Sequence, residues 1–255
     1  MKNGILFEKK RETRGFPLID YDRGASTKHL VILLIVTILA SLMLVFADPI
    51  KNVWLNFIFE NIVPFIIFII AFNTLSGSKI SQLFRRLTWR DLGFGLVMLI
   101  AGTIYSNVAV TLLKELHYQA VADSTTSVLL HTAKDVILEK FTVLEIGDVL
   151  ETFSEEFLAL FSFLIVAALI QRHTQLSRNK ALVISWIISM FIFGAMHFKA
   201  YDFHFLEMFF AVGVSRFFDT GVYIRTKNIF ITFLSHFLFD SFGFLAVTLR
   251  VLTGL

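Results

Sequence analysis

LVILLIVTILASLMLVFA, residues 30–47, has no charged side chain in 18 positions and follows directly on Lys28 and His29. A hydrocarbon layer about 30 Å thick asks for roughly this length of uncharged helix at about 1.5 Å rise per residue. The run ends in Val45-Phe46-Ala47, which has the small residues of a signal-cleavage site. However, the basic arm before it is long, and a signal core holds only about 7–15 apolar residues. An uncleaved signal anchor is therefore expected. Further apolar runs lie at 53–73, 92–113, 153–170, 181–198, 205–218 and 229–249. The pattern predicts an all-α, polytopic integral membrane helix bundle of about seven transmembrane helices. The sixth run is short and holds Glu207 and Arg216, as a tilted, broken or buried helix would.

Composition agrees, with 56% hydrophobic and 17% charged residues against about 25% charged in a soluble domain. Three Pro residues exclude a disordered or collagen-like chain, and zero Cys excludes disulfides, thiolate zinc sites and cysteine nucleophiles. A net charge of +3 gives no reason to expect a nucleic-acid partner; the bilayer is the expected partner. The position of the charges is more informative. With the N-terminus inside, the basic arm, then Lys79, Arg85, Arg86 and Arg90, then Arg172, Arg178 and Lys180, then Arg216, Arg225 and Lys227 all fall on the inner side, as the positive-inside rule requires. Four segments are expected: a cytoplasmic basic arm (1–28), N-terminal transmembrane helices (29–118), an acidic and partly amphipathic connector (119–152), and a last helix bundle (153–255).

Ionisable groups within apolar spans are costly and point to a functional interior. Glu155 and Glu156 stand together at the head of the fourth span. His197 follows the apolar Ile192-Phe193-Gly194-Ala195-Met196. His236 and Asp240 lie four residues apart in the last span, on one helix face. Glu60 stands alone in the second span and reads as structural or interfacial. Carboxylates and imidazoles from three helices contain the parts of a water-activating hydrolase: a base for the water, a His to share it, and donors for an oxyanion. Such a set needs no Ser or Cys nucleophile.

At these residues the sequence resembles the CPBP family, the CAAX prenyl protease type II and bacteriocin-processing proteins also called Abi, which are intramembrane proteases. The family pattern is EExxxR, then FxxxH, then HxxxN or HxxxD. Glu155-Glu156 fits the first, Phe193 with His197 the second, and His236 with Asp240 the third. The resemblance implies a catalytic core in the last four helices, with Glu155 as general base, Glu156 in support, His197 sharing the water or a metal, and His236 with Asp240 at the oxyanion. It implies a peptide or membrane-protein substrate, and a role in peptide maturation or bacteriocin self-immunity in a bacterial cell membrane. Leu160 stands where the motif has Arg, so the cation is missing or comes from elsewhere, for example Arg216 or Lys199. A catalytically inactive member acting as an immunity or regulatory membrane-binding protein is the alternative. The cofactor is open between none and zinc; zinc would take His197, His236 and Glu155, although no HExxH is present.

One conflict of depth follows from the spans. Glu155 and His197 fall toward the outer side, whereas His236 has risen only about 7 residues, or ~10 Å, from an inner start near Ile229. The heights agree only if the last span begins earlier, near Ile224, or the fourth begins well before Phe153.

Overall fold

The computed structural model describes residues 4–9, 14–21, 25–46 and 53–254, without the side chains of Val53 and Trp54. Lys2, Lys10, Arg11 and Arg23 of the basic arm, Ala47 of the cleavage-like site, and Lys51 lie outside these residues. The elements described are helical: α1 (Thr27–Phe46), α2 (Val53–Phe57), a π-helical turn (Ile58–Ile62), α3 (Val63–Leu75), a 3-10 turn (Ile80–Leu83), α4 (Trp89–Glu115), α5 (Ser124–Leu130), α6 (Ile137–His173), α7 (Arg178–Met196), a second π-helical segment (Glu207–Gly213), α8 (Val214–Thr226) and α9 (Ile229–Thr253).

Among the described residues, six stretches are long and apolar enough to cross a membrane: Thr27–Phe46, Leu55–Leu75, Trp89–Glu115, Ile137–His173, Arg178–Met196 and Ile229–Thr253. The seventh span expected at 205–218 is corrected. Helix continues from Glu207 through α8 to Thr226, but Glu207, Arg216, Asp219 and Arg225 remove it from the apolar set. Glu207 and Arg216 are buried against neighbouring helices, where protein, not lipid, can surround a charge.

The fourth span also differs. It starts at Ile137, not 153, and runs for 37 residues, about 55 Å. Residues 137–152, expected within a connector, are its first turns, and this early start carries the glutamates deeper. In its apolar window 72% of residues are buried, against 28–39% in the other five stretches, so α6 is the central helix. Phe68 and Phe72 of α3 pack on its Phe157 and Phe161, with ring centroids 5.8 Å apart for Phe68–Phe157 and 4.7 Å for Phe72–Phe161. Such ring pairs contribute about 0.5–1.5 kcal/mol beyond simple burial.

α7 and the second π-helical segment cross at two glycines. A Cβ on Gly194 would lie 2.7 Å from the Met208 carbonyl oxygen, and one on Gly213 would lie 2.9 Å from that of Met190. Only glycine permits this backbone contact, which is the usual role of small residues between membrane helices. His197 follows Gly194 by three residues, and Arg216 follows Gly213 by three. The crossing therefore brings both side chains to the same level of the bundle.

The loops that the charge pattern groups together meet at one end. Arg178 donates to Glu8 (2.8 Å) and Asp20 (2.6 Å), Lys9 pairs with Asp91 (2.9 Å), and Arg14 donates to the Phe84 carbonyl (3.1 Å). Asn228 reaches the Arg85 carbonyl at 2.9 Å. Phe7 inserts beneath this layer against Phe94, Trp186 and Phe217. The described parts of the arm thus form a strap across the bundle.

Lys227, in the tight turn between α8 and α9, is 1% exposed; it points at Glu8 (3.4 Å) and lies over the Phe16 ring. Burial lowers its amine from about 10.5 to about 7, outweighing the pull of Glu8 and reinforced by Arg178 nearby. Between those values the unfolded chain binds a proton that the folded chain does not, so this group adds stability as pH rises from about 7 to about 10.5. The detergent-solubilised protein is expected to gain stability over that window, with a flatter profile in Lys227→Gln. Parallel profiles for the two proteins would reject the assignment.

Candidate active site

Adjacent residues on an α-helix point about 100° apart, so Glu155 and Glu156 cannot serve one purpose. Glu155 faces a cavity of about 700 Å³ that His197, His236 and Asp240 also line. Glu156 turns inward, is 1% exposed, and accepts from Arg216 Nη1 at 2.6 Å. The same Oε1 accepts from His236 Nδ1 at 2.8 Å. Arg216, 2% exposed, also reaches Asp219 at 3.3 Å, and its guanidinium lies 4.5 Å from the centroid of the Phe193 ring. α8 therefore supplies the cation that position 160 lacks. Leu160, Glu156 and Arg216 border the same small void, so the guanidinium arrives from the facing helix at a spot next to the leucine. Lys199, the other candidate, donates to the Val45 carbonyl at 3.2 Å.

The FxxxH spacing has a local cause. α7 ends at Met196, and its last carbonyls lack helical partners; His197 Nδ1 donates to one of them, the Phe193 oxygen, at 2.8 Å. That bond assigns the proton to Nδ1 and leaves Nε2 to face Glu155 Oε1 at 3.5 Å. In the same way, the Glu156 bond fixes His236 Nδ1, and its Nε2 faces Glu155 Oε2 at 3.6 Å and Asp240 Oδ2 at 3.4 Å. Glu155 thus stands between two imidazoles. Its distances are at or beyond the limit of a direct hydrogen bond, as for groups that share a water.

Four of the five side chains expected at the site, Glu155, His197, His236 and Asp240, line one cavity together with Phe193, and the fifth, Glu156, lies behind them against Arg216 and His236. Glu60, in the first π-helical turn, does not line the cavity. Reading the sequence misses Asp219, which partners Arg216, and Asp148 and Glu151, which lie on the cavity wall. Asp148, Thr152 and Glu155 recur at helical spacing, but Asp148 and Thr152 fall in the acidic, partly amphipathic stretch expected as a connector ahead of the span. Among the described residues, no three His, Asp or Glu side chains are grouped so as to hold a metal ion. The zinc reading on His197, His236 and Glu155 therefore contributes no step below.

Residues 141–242 match the family model of the type II CAAX prenyl endopeptidase, Rce1-like. No curated protein and no solved structure matches the chain. The match begins within the first turns of α6 and ends just past Asp240. The stretch that carries all five site residues thus falls within the part of the chain that is similar to the Rce1-like type II CAAX prenyl endopeptidases.

Proposed function

We propose that this chain is an intramembrane endopeptidase that cuts a peptide or membrane-associated protein with a water activated by Glu155 and His197. The observation that carries the reading is Glu155 held between the Nε2 atoms of His197 (3.5 Å) and His236 (3.6 Å) at the edge of a cavity. Glu155 takes a proton from the water, and the water oxygen adds to the scissile carbonyl carbon. His197, its Nδ1–H tied to Phe193, accepts the second water proton in a hydrogen bond at Nε2 and so orients the attack. A doubly protonated His236 donates Nδ1–H to Glu156 and Nε2–H to the carbonyl oxygen as it becomes negative; Asp240 holds that ring from the cavity side. Glu155 then returns its proton to the leaving nitrogen as the C–N bond breaks. The Arg216–Glu156 pair takes no proton; it fixes the His236 ring.

Arg216 also bears on the alternative of an idle immunity or regulatory protein. That alternative rests on the missing motif arginine, and no further feature favours it. The proposed setting is a bacterial cell membrane with the N-terminus in the cytoplasm, in peptide maturation or bacteriocin self-immunity. Purified protein in lipid vesicles, incubated with a mixture of apolar peptides and read by mass spectrometry, is expected to release defined fragments that continue to appear in strong chelator. Absence of fragments would reject the protease; stoichiometric zinc on His197 and His236, removed together with activity, would reject the metal-free form.

A further inference from the structure

Besides Asp219, which pairs with Arg216, four carboxylates on the cavity wall take no part in the chemistry above: Asp123, Asp148, Glu151 and Glu207. Lys114 is the only Lys or Arg among the described residues of the lining. Two of the four are already engaged by the backbone: Glu207 accepts from Val121 N at 2.9 Å, and Asp123 caps α5 through Thr126 N at 2.9 Å. Asp148 differs. It is 9% exposed, its Oδ1 accepts from Thr152 Oγ1 at 3.1 Å, and its Oδ2 has no hydrogen-bond partner among the described residues.

A carboxylate oxygen withdrawn from water and left unpaired is expensive, and a cation entering the cavity would relieve the cost. The lining carboxylates are not grouped to close on one metal ion, so the cation that suits them is an organic one with a reach of its own. Asp148 precedes Glu155 by seven residues on α6, two turns on one face and about 10 Å along the axis. An extended peptide advances about 3.3 Å per residue, so 10 Å corresponds to about three residues of bound substrate.

We propose that Asp148 receives a Lys or Arg side chain of the bound peptide, placed within about three residues of the bond that is cut. The wall carboxylate Glu151 lies between Asp148 and Glu155, about one turn of α6 from each. This assignment of substrate class rests on the protease reading for the cut bond, but not for the binding of the cation.

The test separates the two. The Glu155→Gln protein, in nanodiscs of zwitterionic phosphatidylcholine, is titrated against a fluorescent decapeptide of Leu, Ala and Phe with one central Lys, and against its twin with norleucine at that place. The Lys peptide is expected to bind at least tenfold more tightly. Adding Asp148→Asn should bring the twins to within twofold while leaving the norleucine affinity unchanged, which also shows that the double variant is folded. Equal binding of the twins to Glu155→Gln, or a gap that survives Asp148→Asn, would overturn the inference. In parallel, the protein with Glu155 intact is given both peptides and cleavage is followed by mass spectrometry. A binding gap without any cleavage refutes the protease and sustains the cation site; cleavage of both twins alike without a gap does the reverse.

Discussion

Glu155→Gln is expected to lower kcat/KM by about a thousandfold, within the range of roughly 10²–10⁴ that a positioned general base contributes, while the protein still inserts and folds. The amide keeps the shape of the side chain and takes away its capacity to accept a proton. Glu155 is 19% exposed at the cavity edge, so its charge is not the sole partner of a buried cation. His197→Ala is expected to cost a comparable factor, because it removes the acceptor that aims the same water. The double variant should then be little slower than either single one, since groups that act on one water as a unit do not add. A Glu155→Gln protein with more than a tenth of normal activity, or losses that multiply in the double variant, would remove Glu155 and His197 from the mechanism.

Arg216→Met has its largest effect on folding. Glu156 and Arg216 are 1% and 2% exposed, and removal of one member of such a pair strands the other as a buried charge at a cost of about 3–5 kcal/mol. Glu156→Gln combined with Arg216→Met should recover most of that loss, because Glu156 then leaves no unpaired buried charge and an amide costs far less to bury than a carboxylate. The combined variant should remain inactive, with the His236 ring no longer anchored at Nδ1. A more pointed version places the cation where the family motif has it: Leu160→Arg in the Arg216→Met background should regain part of the lost stability. Unfolding curves in mixed micelles measure both. An Arg216→Met protein within 1 kcal/mol of the parent would show that the pair is not the buried anchor described here.

The readability of the sequence followed the solvent. In α1, α7 and α9 lipid demands apolar runs, and such runs are visible in any window of 18 residues. In the same way, Glu155, His197, His236 and Asp240 stood out because an apolar background has no structural use for them. The first turns of α6 were hidden for the opposite reason. Glu139, Lys140, Glu145, Asp148 and Glu151 make the segment look like a solvated connector, and only the cavity on one side shows why a helix there can carry acids. Arg216 was visible as a charge in a doubtful span, but its partner lies 60 residues away, and nothing local links them. The strap was also concealed: basic residues dominate the arm, whereas the contacts that dock it include two carboxylates, Glu8 and Asp20.

The strap imposes an order on biogenesis. Glu8 and Asp20 leave the ribosome well before their partners, since Arg178 follows Glu8 by 170 positions and Lys227 by 219. A chain made from its N-terminus onward holds these carboxylates without their partners until α7 and the α8–α9 turn have been delivered. Docking of the strap therefore reports that the half carrying the candidate site is present, and a nascent chain arrested before Lys227 keeps its first segment open to proteases that survey unfinished membrane proteins.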